Sequence, residues 1–126
     1  MSGQQPTRRS KAAIRTVNLK SDLPPVPEAL QRLERELTLA RHDGITILKI
    51  VHGYGSTGVG GDIRIAVQKR LRELVESGHI HACIFGENWS TSDEETWRLL
   101  QRQPELKNDR DLGRANKGIS IVTMKD

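Results

Sequence analysis

His52 opens the run His52-Gly53-Tyr54-Gly55, and Gly58, Gly60 and Gly61 follow before Asp62 and Arg64. Glycines at this density let a backbone approach a ligand closely and take dihedral angles that side chains forbid. Where such a loop leads from a buried strand into a helix, its N–H groups and the positive end of the helix dipole meet at one point. That is an anion site, suited to phosphate. Arg64, just inside the following helix, can bring a planar guanidinium to the same anion. His52 has two readings: an imidazole that contacts phosphate or moves a proton, or a structural ring bonded to the loop backbone. Gly53-x-Gly55-x-x-Gly58 has the letters of the dinucleotide-binding signature. That signature opens its helix directly on the first βα turn, whereas here the helix is expected to start near Asp62 on the second unit. No Gly-Lys-Ser/Thr follows, which excludes the phosphate loop of nucleotide triphosphatases. A flexible loop with no ligand is the remaining reading.

Other residues could carry chemistry. His79, His81 and Cys83 alternate, so one strand face could present all three as zinc ligands, but no fourth ligand stands at a fitting spacing. Trp89 and Trp97 could stack on bases. With aromatics at only 3% of the chain, core packing is the better use for them. Lys69 and Arg72 could extend a surface that tracks a phosphate backbone, although Glu73 and Glu76 dilute it and a solvated helix face explains them as well.

The elements that must position these groups follow from periodicity. Residues 14–19, with Ile14, Val17 and Leu19 apolar, read as a first strand. Pro27 suits a first helical turn, and Leu30, Leu33, Leu37 and Ala40 make one amphipathic face ended by Gly44. Residues 45–51 are nearly continuous Ile, Leu and Val, the pattern of a strand covered on both faces in a parallel sheet. After the glycine loop, Asp62 is expected to cap a helix whose buried stripe is Ile63, Val67, Leu71, Leu74 and Val75, closed by Gly78. Residues 79–85 form a third strand. The polar segment 87–117 holds a short helix from Ser92 or Asp93 to Gln101, its first turn acidic. Residues 118–125 are the last strand. The order is β-α-β-α-β-(insertion)-β with no internal repeat.

His52-Gly53-Tyr54-Gly55, the further glycines, Ile63-Arg64, Val67 and Leu71 resemble the His-Gly-x-Gly motif of Smr (small MutS-related) domains, written HGxGxG-x-L-R. The stretch VNLKSDLPPVPEAL is similar to that family's opening strand, turn and helix, and GISIVTMK to its closing strand. The resemblance spans residues 14–125. It implies a small βαβαββ two-layer α/β sandwich, with 87–117 inserted before the last strand, and a protein that binds DNA or RNA; some members are endonucleases. Where the family's first motif reads Leu-Asp-Leu-His, this chain has Val17-Asn18-Leu19-Lys20. An amide cannot act as base and an ammonium cannot ligate a metal, so the substitution favours binding over cleavage. Lys20 can still grip a phosphate. The expected contact set is therefore Lys20, His52, Gly53, Gly55, Gly58, Gly60, Gly61 and Arg64, with no metal or cofactor. The alternative is an endonuclease using Mg²⁺ or Mn²⁺ with His52 catalytic and an acid from Asp22 or Asp62. A third reading is a protein-interaction adaptor that works through the insertion.

Length and charge agree with this. At 126 residues and 14.1 kDa the chain suits one small domain, residues 14–126, which excludes multidomain enzymes. No apolar run is long enough to span a membrane. A single cysteine and a basic, non-apolar N-terminus point to the cytoplasm. The net charge of +4 is uneven: residues 1–20 hold five cations and no acid, leaving 15 basic against 16 acidic residues beyond them. Residues 1–13 read as a disordered basic arm able to add phosphate contacts without reading sequence.

Overall fold

A computed structural model describes residues 13–54 and 59–125. The strands are β1 (Ile14–Asn18), β2 (Ile47–Val51), β3 (Ala82–Phe85) and β4 (Ile119–Thr123), and the helices are α1 (Val26–His42), α2 (Val59–Glu76) and α3 (Glu94–Arg102). This is the α/β order expected, β-α-β-α-β-β with α3 and two short 3-10 turns before the last strand. The four strands form one sheet in the order β1-β2-β4-β3. β1 runs parallel to β2, while β4 lies antiparallel between β2 and β3. The sheet is thus mixed, although the apolar run of β2 suggested a parallel one; what that run reports is cover on both faces.

α1 and α2 cover one face. Ala29, Leu33, Leu37 and Ala40 of α1 and Ile63, Val67, Leu71 and Leu74 of α2 meet Val17, Leu48, Ile50 and Val122 from the sheet. Pro27 sits in the first turn of α1, where its missing N–H costs nothing. Gly44 and Gly78 follow the two helices with φ of +73° and +79°, values that glycine adopts without strain.

The other face is covered by the segment read as an insertion. Trp89, Leu99, Leu100 and Leu106 pack on Ile47, Ile84, Ile119 and Ile121. Trp89 is fully buried and its indole Nε1 donates to Asp109 Oδ2 at 2.9 Å. Residues 87–117 are therefore a structural layer, not an appendage, and deleting them would strip half the sheet. α3 starts at Glu94, two residues after the earliest expected position and one after the later, with Asp93 accepting from the Thr96 N–H at 3.0 Å as its cap. Trp97, on the opposite side of α3, is exposed.

Two further boundaries differ from expectation. α2 begins at Val59, so Gly60 and Gly61 belong to its first turn and Asp62 is not the cap. First-turn N–H groups have no helical partner in any case, so a glycine there sacrifices little. β3 begins at Ala82, which leaves His79 in the turn after Gly78 with its Nδ1 2.7 Å from Ser77 Oγ. His79, His81 and Cys83 thus share no strand face, and no group of three metal-ligating side chains is found among the described residues. Of the expected basic arm, only Ala13 lies within the described residues, bonded to Thr46. No helix among them is long and apolar enough to cross a membrane.

Candidate nucleic-acid interface

The three mutually parallel strands end on one rim, where β4 begins: Asn18 pairs with Val51, Val51 with Ile119, and Phe85 with Ser120. Open α/β sheets present ligand sites at the carboxyl ends of their strands. Lys20, His52, Gly53, Gly86 and Gly118 all follow or precede strands at this rim.

Lys20 is set there by Asn18. The Asn18 Oδ1 accepts the Lys20 N–H at 2.8 Å, and the Leu19 N–H donates to Val51 O, so Leu19 turns inward and Lys20 outward. The next turn is strained, with φ of +64° at Asp22 and +44° at Leu23, conformations rare for residues with a side chain. The Lys20 chain lies against Gly53, whose φ is +73°; a Cβ at Gly53 would come within 3.2 Å of Lys20 Cδ. Gly53 thus serves both the turn and the close approach.

His52 is wholly buried. Its Nδ1 lies 2.7 Å from the Gly53 carbonyl, which can only accept, so Nδ1 carries the proton. Nε2 lies 2.9 Å from Ser120 Oγ and, in the neutral ring, accepts the hydrogen bond that the hydroxyl donates. Burial, with the Arg64 charge nearby, holds the imidazole below its ordinary pKa, against the pull of the Gly53 carbonyl and Glu87. The ring is neutral and both its nitrogens are engaged inside the protein, which ties the loop to β4 at the floor of the cleft that Lys20 also lines.

The segment between α3 and β4 reaches the same rim. Gly118 O accepts from both the His52 and Gly53 N–H groups, and a Cβ at Gly118 would lie 3.3 Å from Gly53 Cα. Gly86 is equally constrained, because a methyl group there would fall 1.8 Å from Asn116 O. Beneath the segment, Lys49 points from the middle of β2 to Asp109 Oδ1 at 2.8 Å and Asp111 Oδ2 at 2.5 Å. Burial alone would lower the Lys49 pKa, but the two carboxylates more than offset it and raise the pKa above its usual value. Asp111 Oδ1 accepts from Asn116 Nδ2, and Asn116 Oδ1 accepts the Gly118 N–H. The chain of bonds from Trp89 through Asp109, Lys49, Asp111 and Asn116 to Gly118 therefore fixes the segment against β2.

Its cations face the other way. Arg110, Arg114 and Lys117 are exposed, and with Tyr54, Asn116 and the Lys49-bonded Asp111 they line an open cleft of about 690 Å³. A second cleft of about 410 Å³ holds Lys20, Leu23, Gly53, Tyr54 and Asn116. The two share Tyr54 and Asn116, so they form one groove. Among the described residues, Lys20, Arg114 and Lys117 make no ion pair. Arg64 stands apart: its Nη2 bonds Glu87 Oε2 at 2.8 Å at the end of β3, while Arg64 Nε and Glu87 Oε1 are buried with no partner among the described residues. Gly55 and Gly58 lie outside the described residues.

The structure thus brings Lys20 and Gly53 together, places His52 beneath them, and ties Arg64 to an acid. Arg110, Arg114, Lys117 and Tyr54 also reach the rim but were not among the residues that spacing singled out. The signal for the first three was the cation-bearing, glycine-containing run NDRDLGRANKG, which lay inside what was read as an insertion. Asp22 and Asp62 are exposed, and neither joins His52 in a group that could hold a metal.

Among solved structures, the Smr domain of MutS2 from Thermus thermophilus matches with a TM-score of 0.56 at 20% identity, over 89% of this chain and 99% of that one. The fold is Smr-like. No protein-family model matches the chain, and no curated protein matches it in sequence. In this Smr-like frame the rim built by Lys20, His52-Gly53 and Gly118 is the place where the His-Gly motif and the cation-bearing segment before β4 meet.

Proposed function

We propose that the chain is a nucleic-acid-binding domain that grips phosphates along this rim. The observation that supports it is the groove in which Lys20, Arg110, Arg114 and Lys117 converge with the Gly53 backbone. Each cation that neutralises a phosphate releases condensed counterions, so binding of this kind is salt-dependent and indifferent to sequence. The first turn of α2, with Gly60 and Gly61, lies past the glycine loop and adds unpaired N–H groups and the positive dipole end. DNA and RNA both present this backbone. His52 contributes by holding Gly53, and Arg64 stands in reserve behind Glu87. The donor set does not fit a hydrolytic metal centre, because the one histidine at the rim has both ring nitrogens engaged inside the protein.

The test is fluorescence anisotropy of the chain with labelled DNA and RNA across a salt series. Replacing Lys20, Arg114 and Lys117 together by alanine should weaken binding at low salt and reduce the slope of log K against log salt by about 2 to 3, since each phosphate contact contributes roughly 0.7 to 0.9. Arg70→Ala, whose guanidinium is paired with Glu34 and Glu73, is the matched control. Equal affinities and slopes for the triple variant and the wild type would refute the proposal. Cleavage of the same samples with Mg²⁺ or Mn²⁺, lost in His52→Ala, would instead point to a nuclease.

A further inference from the structure

Tyr54 is the single tyrosine of the chain and is 54% exposed, directly after the φ-positive Gly53. A lone exposed apolar side chain is ordinary. This one stands on the wall shared by the two clefts, with Lys20 on one side and Arg114 and Lys117 on the other. An unpaired nucleotide segment offers the matching chemistry: a flat base face for the ring, and a phosphate to either side of it. Two of the polar side chains that line the clefts with the ring are already engaged inside the protein, since Asn116 bonds Asp111 and Gly118, and Asp111 bonds Lys49. Stacking plus charge, without edge contacts, is the sequence-tolerant mode by which proteins hold single strands. A duplex buries its base faces in its own stack and can offer only phosphates to the same groove.

We infer that the groove takes unpaired strands, with one base stacked on Tyr54 and the flanking phosphates held by Lys20 and by Arg114 with Lys117. This rests on the nucleic-acid reading above and deepens it from phosphate backbone in general to single-stranded segments. A free mononucleotide shares the base and phosphate chemistry but can fill only one side of the ring.

The experiment compares the intact chain with a labelled single strand of about a dozen nucleotides, the corresponding duplex labelled in its interior, and a fluorescent mononucleotide. Tyr54→Ala should weaken the single strand about tenfold, within the range seen when a stacking aromatic is truncated, and shift the duplex less than about twofold. Tyr54→Phe should keep the wild-type affinity. Because there is one tyrosine, ring-labelled protein gives a single set of aromatic NMR signals, which should move upfield with the single strand and stay in place with the duplex. Circular dichroism of the exposed-site variants checks that each is folded. Equal losses on strand and duplex, a Tyr54→Phe protein as weak as Tyr54→Ala, or a mononucleotide bound as tightly as the strand would overturn the inference. Wild type that binds duplex but not strand would overturn it while leaving the phosphate reading standing. No binding to either form would end both.

Discussion

Lys49 and Arg114 lie on opposite sides of the segment before β4 and are used in opposite ways. Lys49 leaves the middle of a buried strand with its side chain 9% exposed and bonds two carboxylates from the segment before β4. Arg114, on that same segment, is exposed and makes no ion pair among the described residues. Between Asp109 and Lys117 the sequence carries two acids and three cations, nearly balanced. The fold sorts them. Both acids are bonded to Lys49, although Asp111 also borders the groove, and all three cations line it. A segment that looks nearly neutral as a string of letters becomes a cationic surface because its negative charge is consumed beneath it.

The inward half of this comparison carries the larger energy. Lys49→Met removes the counter-charge from Asp109 and Asp111, whose side chains are only 16% and 17% exposed. Stranding buried charge costs about 3 to 5 kcal/mol, and the residual exposure of the two acids places the expected loss near 3. Urea unfolding measures it. Arg114→Ala should change stability by less than about 0.5 kcal/mol, as surface substitutions usually do. Adding Asp109→Asn and Asp111→Asn to Lys49→Met should recover part of the loss, since no net charge is then left buried. If Lys49→Met and Arg114→Ala cost the same, the division into inward and outward cations is wrong.

This sorting also marks where sequence reading works and where it stops. α1 and α2 were legible because their apolar residues recur at helical spacing, and β2 because its apolar run is long enough to demand cover on both faces. Lys20 and the His52-Gly53 run were legible as a motif, and the bonds of Lys20 N–H to Asn18 and of His52 Nδ1 to Gly53 are local, whereas the ties of His52 to Ser120 and of Gly53 to Gly118 cross more than 60 residues. Lys49 was hidden within the apolar run, and its partners lie 60 and 62 residues away. Trp89 and the segment around it read as an insertion because a layer formed from short turns has no period. Its role emerges only when Leu99, Leu100 and Leu106 are seen against Ile119 and Ile121. The position of β4 between β2 and β3 likewise has no local signature, since it follows from pairings between distant segments.

Arg64 and Glu87 test the boundary between the two classes. Their side chains are 26% and 31% exposed, and each keeps one buried polar atom without a partner among the described residues, so the pair is neither core nor open surface. Glu87→Gln keeps the shape and removes the charge. Stability should change by less than about 1 kcal/mol, the usual scale for a partly exposed pair. Arg64 is then free to add one phosphate contact, which should tighten nucleic-acid binding at low salt about two- to fivefold and steepen the salt slope by less than about 1. Unchanged binding in Glu87→Gln would place Arg64 with the inward cations, as a structural tie between α2 and the end of β3.

His52 belongs wholly to the inward class, and its smaller effect is visible as a pH dependence. Burial holds its folded-state pKa below the value of 6.5 that an unperturbed histidine has. The unfolded chain therefore binds more protons than the native protein at this residue, and unfolding free energy rises with pH across the interval between the two values. The stability is present above pH 6.5, declines as the pH falls below 6.5 toward the folded-state pKa, and levels off once both forms are protonated. The Gly53 carbonyl can accept from a protonated ring, but Ser120 must rotate its hydroxyl to do so, and the charge would sit in a buried site beside Arg64. Urea midpoints of the wild type, read from pH 7.5 down to about 5, should fall, while those of His52→Gln should start lower and fall less. The difference in slope, not in level, belongs to His52, because the substitution also removes bonds at every pH. Parallel slopes for the two proteins would mean that the ring takes up its proton in the folded state as easily as in the unfolded one, and that His52 is accessible at the rim after all.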